Sequence, residues 1–261
     1  MVKSRSLLFL FFLSCMFSAP VVGQQVAPQA PQRDPQAIAI LQQSLAAMGR
    51  VPPADSVATG AVVTVAGSTT EHGTVRILTR GTEQTSEQLQ MPGGVRSLTY
   101  SQGQARHIEG ATARSLQMEL VVTSQCPDFP LPILAGALNN AQTALQYVGP
   151  ETLDGVSVHH IRLWSTFADA KLQHLAEFST KDVWLDAASG LPRKLAFEQR
   201  AARGAAPRIP FEVFYSDYRS VSGVLYPFLI KKSLNGTPWT TITIANVTFN
   251  TALTDADFPV R

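Results

Sequence analysis

Three groups of side chains in this sequence could do chemistry: the pair His159-His160, the cysteine Cys126, and the carboxylates Asp182 and Asp186. Histidines ligate metals, a cysteine beside a base can act as a nucleophile, and two facing carboxylates are the catalytic groups of glycosidases. Adjacent residues on a strand point to opposite faces, so the two histidines cannot share one metal ion. The other three histidines are isolated in the sequence and lack metal-ligand spacing.

The surroundings of these residues argue against catalysis. Cys126 has no basic group near it in sequence and is followed by prolines, and Asp186 leads into a turn, where aspartate bonds the backbone. Neither a phosphate-binding loop nor a Gly-x-Ser-x-Gly nucleophile motif occurs. The sequence therefore predicts a binding protein with no enzymatic activity, no metal and no cofactor. Mutation of Cys126, Asp182 and His160 would test the enzyme alternative.

The N-terminus has the pattern of an export signal. Lys3 and Arg5 precede an apolar run, Leu7–Phe17, which is shorter than the ~20 residues of a membrane-spanning helix. We expect a signal peptide over residues 1–23, cleaved between Gly23 and Gln24, and a periplasmic protein. Lipid attachment at Cys15 is the alternative, but apolar residues follow that cysteine.

Charge and cysteine content exclude two further classes. Cleavage would remove two of the 21 basic residues and none of the 19 acidic ones, which leaves a mature chain without net charge. A nucleic-acid-binding protein needs a basic face, so nucleic acid is not an expected partner. Cys126 would be the single remaining cysteine, so a hydrophobic core must stabilise the fold without an intramolecular disulfide.

The first element is a helix. Residues 24–34 are rich in Pro and Gln and are expected to form a flexible leader, and residues 35–261 a single domain. Asp34 can cap a helix that begins at Pro35, and Gly49 is placed to end it.

Strand-like runs follow, separated by Gly, Pro and Asn turns. They cover 56–66, 73–80, 83–91, 95–101, 104–109, 143–150, 155–164, 181–186, 193–201, 209–219, 224–234 and 238–248. Asn235-Gly236 predicts a tight hairpin. Lys231 and Lys232 place one charge on each face of a strand, which is typical of a sheet edge or rim.

Helices interrupt the strands in the centre of the chain. Ala113–Ser124 predicts one helix, and the apolar stretch after Cys126 predicts a second, shorter one. Another short helix is expected over Ala168–Phe178. The predicted fold is α+β: a strongly curved, half-open antiparallel β-barrel of about eleven strands, with the N-terminal helix and the central helices covering its concave face.

A lidded cavity would form beneath those helices, and fourteen apolar or aromatic residues are candidates for its lid and walls. They are Leu116, Met118, Leu120, Val122, Phe129, Leu131, Ile133, Leu134, Leu138, Trp184, Phe197, Phe211, Phe214 and Tyr218. The same residues also suit an ordinary filled core, and the sequence leaves both possibilities open.

Three motifs in the last third of the chain resemble the LolA-like superfamily of periplasmic lipoprotein carriers. Val183–Lys194 resembles its strand–Asp–turn–Gly-Leu-Pro–strand hairpin. Phe214–Ile230 resembles a Ser-Asp-Tyr-Arg stretch with later Gly, Pro and Ile, and Asn250–Phe258 resembles a closing Asn–Asp–Phe segment. The resemblance extends over roughly residues 180–260.

The resemblance implies a half-open barrel that holds acyl chains in an apolar cavity. The predicted function is therefore a periplasmic, non-catalytic binder or carrier of lipid or of lipoprotein acyl chains. The expected partners are a lipid or an acylated lipoprotein and a membrane-anchored delivery protein. The alternative is an envelope sensory or scaffold domain of the same fold that binds a protein partner.

Overall fold

The computed structural model describes residues 32–49, 51–123, 127–200 and 208–260. The expected signal peptide, most of the leader, Cys15 and Cys126 lie outside these ranges. Three α-helices form within them: α1 (Pro35–Met48), α2 (Met118–Thr123) and α3 (Pro130–Asn139). The thirteen strands there are β1 (Asp55–Ala66), β2 (Thr69–Arg80), β3 (Gln84–Met91), β4 (Gly94–Ser101), β5 (Gln104–Glu109), β6 (Thr112–Ser115), β7 (Thr143–Leu153), β8 (Val156–Ser165), β9 (Lys181–Asp186), β10 (Pro192–Arg200), β11 (Arg208–Val221), β12 (Val224–Leu234) and β13 (Thr237–Phe249).

All of these strands belong to one antiparallel sheet. Their order is β6-β5-β4-β3-β2-β1-β13-β12-β11-β10-β9-β8-β7, so β6 and β7 are its two edges and do not pair with each other. Helix α2 contacts both β5 and β10, which are eight places apart in this order. Eight strand spacings on a flat sheet would span roughly 38 Å, whereas a helix of this length covers about 9 Å. The sheet is therefore strongly curved, and the predicted half-open α+β barrel is confirmed.

Tight two-residue turns connect many neighbouring strands. Asn235 and Gly236 both have positive φ, 50° and 74°, as a type I′ hairpin turn requires. Asp154-Gly155 and Ser222-Gly223 show the same pair of positive φ angles. These turns match the right-handed twist of the strands, and the tight hairpin predicted at Asn235-Gly236 is confirmed.

Three sequence predictions are corrected. The sheet has thirteen strands within the described ranges rather than about eleven, and Thr112–Ser115 is the short strand β6 instead of the start of a helix. Gly110, with φ of 58°, turns the chain back so that Thr112 pairs with Glu109. The helix consequently begins only at Met118. The segment Ala168–Phe178 contains short 3-10 turns instead of an α-helix.

Helix α1 begins as its sequence predicts. The Asp34 carboxylate accepts a hydrogen bond from the Gln36 amide at 2.8 Å, and Pro35 occupies the first turn. Leu41 and Met48 are fully buried on the side that faces the sheet. None of the helices in the described part of the chain is both long and apolar enough to cross a bilayer.

Helix α3 and the residues before it complete the core. Phe129 stacks on Tyr226 of β12 with ring centroids 4.5 Å apart, and Leu131 and Leu134 are fully buried. The Arg33 guanidinium donates to carbonyls at the C-terminal end of α3, including Leu138 O at 2.7 Å. This satisfies acceptors that a helix end leaves unpaired. The interior beneath α1 and α3 is thus filled.

Candidate functional site

A cavity of about 530 Å3 lies on the concave face, at the end of the sheet next to α2. Its volume is within the range of about 300–1,000 Å3 that small-molecule sites occupy. Large apolar side chains from the strands, from α2 and from residues on either side of it form one part of its wall. These are Leu89, Leu98, Leu116, Leu120, Pro127, Phe197, Phe211 and Trp239.

Three aromatic rings form one side of this wall. Phe197 stacks on Phe211 with centroids 4.9 Å apart, and Trp239 meets the Phe211 ring edge-on at 5.9 Å. Phe197 and Phe211 face the same side because they are cross-strand partners on β10 and β11. A row of rings of this kind offers an apolar surface to a hydrocarbon ligand.

The floor of the cavity is charged. Lys232 and Glu87 both line it, and the Lys232 ammonium pairs with the carboxylate of Glu87 and with Asp128 Oδ1, at 2.6 Å from the latter. The side chains of Lys232 and Asp128 are 5% and 0% exposed, so this network is removed from water. Buried charges of this kind persist only when they are paired.

The protonation of the network follows from its geometry. Burial and the adjacent Glu87 charge raise the pKa of Asp128 well above its usual value. Burial alone would also raise the pKa of Glu87, but the Lys232 ammonium and a hydrogen bond with Asp128 together outweigh it and lower that pKa. Burial lowers the pKa of Lys232, and the two carboxyl groups outweigh it and raise that pKa. The raised pKa of Asp128 favours its neutral form, while the lowered pKa of Glu87 favours the carboxylate that pairs with Lys232.

The rim of the cavity on β2, β4, β5 and β6 is polar. Arg96 pairs with Glu71 at 2.8 Å, and it lies opposite Glu109 across the β4–β5 ladder. Burial and the nearby Arg114 lower the pKa of His107, against the opposing effect of Glu109. The rim thus consists of alternating charges around an apolar interior.

Three polar contacts hold helix α2 in place over one side of the cavity. The Thr123 hydroxyl donates to Phe178 O at 2.9 Å, and Lys181 Nζ donates to Val122 O at 3.2 Å. His174 Nε2 lies 3.5 Å from the Glu119 carboxylate. Burial lowers the pKa of Lys181 from 10.5 to about 8. Since Leu120 of α2 lines the cavity, these contacts position part of its wall.

The structure brings four of the fourteen sequence-predicted site residues into this cavity: Leu116, Leu120, Phe197 and Phe211. Five residues of the second apolar stretch pack in the filled core or against it instead: Phe129, Leu131, Ile133, Leu134 and Leu138. On α2, Met118 is 49% exposed, and Val122 is half-buried outside the cavity lining. The segment Phe129–Leu138 therefore faces inward but fills space beneath α1.

The remaining three predicted residues lie on strands but do not line the cavity. Trp184 and Phe214 both contact Lys194, whose ammonium lies 4.6 Å and 5.4 Å from the two ring centroids, on the convex face. The alternation of side chains along β9 places Val183 and Leu185 inside, so Trp184 points outward. The Tyr218 side chain packs against the core, and its hydroxyl donates a hydrogen bond to Pro192 O at 2.8 Å.

Sequence reasoning missed the charged floor and Trp239. The expectation of one lysine on each face is met, because Lys231 is exposed and Lys232 is buried. The interpretation as an edge or rim is wrong, since β12 lies between β11 and β13 in the middle of the sheet. Side chains alternate between the two faces of a strand, so the buried Ile230 could have indicated that Lys232 also points inward. Its partners Glu87 and Asp128 could not be predicted in this way, because they are far away in sequence.

The histidine and aspartate side chains first considered for catalysis are held in structural contacts, whereas Cys126 lies outside the described residues. His160 Nδ1 and Nε2 lie 2.6 Å from carboxylate oxygens of Glu151 and Asp182, respectively, and the ring stacks on Trp184 at 4.4 Å. Asp186 accepts from the amides of Ala188 and Ser189, as expected for a turn. In the described part of the chain, no group of three or more His, Cys, Asp or Glu side chains is arranged to hold a metal.

Comparison with known proteins supports the architecture. No protein-family model matches the sequence, and no curated protein matches it either. Among solved structures, the chain is similar to a LolA superfamily protein from Nitrosomonas europaea, with a TM-score of 0.55, 13% identity, and coverage of 85% of this chain and 97% of the other. It is also similar to an outer membrane lipoprotein-sorting protein domain from Vibrio parahaemolyticus, with a TM-score of 0.55, 14% identity, and coverage of 85% and 96%.

At such low identity, this similarity concerns the fold alone. The similarity extends over 85% of this chain and over 96–97% of the two compared chains, so it includes most of the fold. Val183–Lys194 forms the strand–turn–strand hairpin that the resemblance implies, and Phe214–Ile230 lies on the paired strands β11 and β12. The chain therefore has the LolA-like fold.

Proposed function

We propose that this protein is an exported, non-catalytic carrier that binds a lipid or an acylated lipoprotein through a hydrocarbon chain. The observation that carries the proposal is the cavity of about 530 Å3 beneath α2, whose wall combines four aliphatic side chains with three aromatic ones. The N-terminal signal pattern supports the proposed periplasmic location. The membrane-anchored delivery protein expected from the sequence stays a prediction.

The physical driving force is burial of methylene groups. Each buried methylene is worth ~0.8 kcal/mol, so one long chain could gain on the order of 10 kcal/mol before ordering costs. Neither a nucleophile nor a metal is needed for this task. The charged floor is compatible with it, because Lys232 is paired with both Glu87 and Asp128 and these charges are satisfied within the protein.

A binding experiment with two matched variants tests the proposal. Leu120→Arg places a guanidinium in the cavity wall, whereas Met118→Arg places the same group on the exposed side of the same helix. With a fluorescent long-chain fatty acid as the probe, we expect Leu120→Arg to weaken binding at least about tenfold, or ~1.4 kcal/mol. Desolvation of the charge is the reason.

The control variant Met118→Arg is expected to bind the probe within about threefold of wild type, or ~0.7 kcal/mol. Urea unfolding of both variants would show that each is folded. The proposal is wrong if folded wild-type protein does not bind the probe, or if the two arginine variants lose affinity equally.

A further inference from the structure

Two opposite charges at the rim of the cavity have no ion-pair partner in the described part of the chain. Glu109 of β5 and Arg114 of β6 both line the cavity, and both are exposed. The other Lys and Arg side chains of the lining, Arg96 and Lys232, are ion-paired with carboxylates. A ligand can therefore pair with Glu109 and Arg114 without breaking an ion pair of the protein.

Strand pairing places these two charges close together. On the β5–β6 ladder, His107 pairs with Arg114 and Glu109 pairs with Thr112, so Glu109 and Arg114 are diagonal neighbours. Diagonal residues of an antiparallel pair are about 7–8 Å apart and within reach of long side chains. Both charges act on His107: burial and the Arg114 guanidinium lower its pKa, and Glu109 opposes them. A ligand group that carries both signs of charge can thus contact both side chains.

The two charges adjoin the apolar wall of the cavity. Leu98 of β4 pairs with His107, so Leu98, His107 and Arg114 form one row across three neighbouring strands. Leu116, two residues after Arg114, also lines the cavity. An amphiphile whose headgroup lies between Glu109 and Arg114 therefore has an apolar surface directly beside it for its hydrocarbon chain.

We propose that Glu109 and Arg114 form a headgroup subsite for a zwitterionic amphiphile, in which Arg114 binds a phosphate group and Glu109 binds an ammonium group. This inference rests on the proposed function and names the class of its ligand. The guanidinium suits a phosphate because it presents a planar fork of N–H donors. Glu109 would oppose a purely anionic headgroup and Arg114 a purely cationic one, so the pair favours a headgroup with both charges.

Calorimetric titration with amphiphiles that share a dodecyl chain tests the subsite. The probes are zwitterionic dodecylphosphocholine, anionic dodecyl phosphate, cationic dodecyltrimethylammonium and nonionic dodecyl maltoside, each below its critical micelle concentration. We expect Arg114→Gln and Glu109→Gln each to weaken binding of dodecylphosphocholine about three- to fivefold, as loss of an exposed ion pair would. Dodecyl maltoside should bind wild type and both variants equally, because its headgroup has no charge.

The singly charged probes separate the roles of the two side chains. Arg114→Gln should weaken binding of dodecyl phosphate but not of dodecyltrimethylammonium, and Glu109→Gln should do the reverse. Arg106→Gln is the matched control, because Arg106 directly precedes His107 on β5 and therefore points to the opposite face. It removes the same charge as Arg114→Gln and should leave the affinity for all four probes unchanged.

Two results would overturn this inference: equal affinity of wild type, Arg114→Gln and Glu109→Gln for dodecylphosphocholine, or an equal loss of affinity for all four probes in either variant. Binding of dodecyl maltoside by wild type would in both cases leave the proposed function intact. If wild type binds none of the four probes, the proposed function itself fails, and the inference fails with it.

Discussion

Lys232→Met is expected to lower the free energy of unfolding by about 3–5 kcal/mol, the usual cost of leaving one buried charge without its partner. Methionine matches the length of the lysine side chain, so the cavity volume changes little. The Glu87 carboxylate would remain in the floor beside Asp128 with no cation to compensate its charge. Urea denaturation at neutral pH measures the effect.

Two other variants separate this electrostatic effect from a general loss of lysine or of a carboxyl group. Lys231→Met removes the neighbouring lysine, which is exposed on the opposite face, and should change stability by less than about 0.5 kcal/mol. Asp128→Asn replaces a carboxyl group whose raised pKa favours its neutral form with a neutral amide of the same shape, so it should cost far less than Lys232→Met. A loss below about 1 kcal/mol for Lys232→Met would contradict the paired floor.

The second large effect concerns Lys181, which is buried beside α2. Its pKa is about 8 in the folded protein, against 10.5 as the ordinary value. Between these two pH values the unfolded chain binds more protons at this position than the folded chain does, so stability rises with pH. The expected rise from pH 7 to pH 10 is about 2–3 kcal/mol for this group.

Comparison of wild type with Lys181→Met isolates this contribution. Other groups that titrate at high pH, such as Tyr215, whose pKa burial raises, are present in both proteins. The stability of wild type minus that of Lys181→Met should therefore increase by the stated amount across the window. A difference that stays constant from pH 7 to pH 10 would show that the Lys181 ammonium is not desolvated.

The sequence predicts features that depend on neighbouring residues. The cap of α1 at Asp34 and the hairpin at Asn235-Gly236 are properties of a few adjacent side chains, and both are present. The general fold could also be inferred, because strands that alternate with tight turns have few arrangements. Strand β6 was missed because its residues also suit a helix, and only the turn at Gly110 and the pairing with β5 determine the outcome.

The candidate site was harder to predict, because it depends on contacts between distant parts of the chain. Phe129 and Leu134 are as apolar as Leu120, and only their position beneath α1 shows that they fill the core. The role of Lys232 in the cavity floor could not be predicted without its partner Glu87, which is 145 residues away in sequence. The position of Trp239 depends on a β-bulge in the β12–β13 ladder, where Lys232 pairs with Thr240 and Ser233 with Pro238. No local sequence pattern predicts this bulge.

Solvent extraction of the purified protein followed by mass spectrometry tests the central claim most directly. The claim is that the cavity beneath α2 holds a hydrocarbon chain. We predict that wild-type protein and Met118→Arg release an amphiphile with a long hydrocarbon chain, in nearly equal amounts, and that Leu120→Arg releases much less. Extracts of folded wild type that contain no such molecule, or no more of it than Leu120→Arg, would contradict the claim.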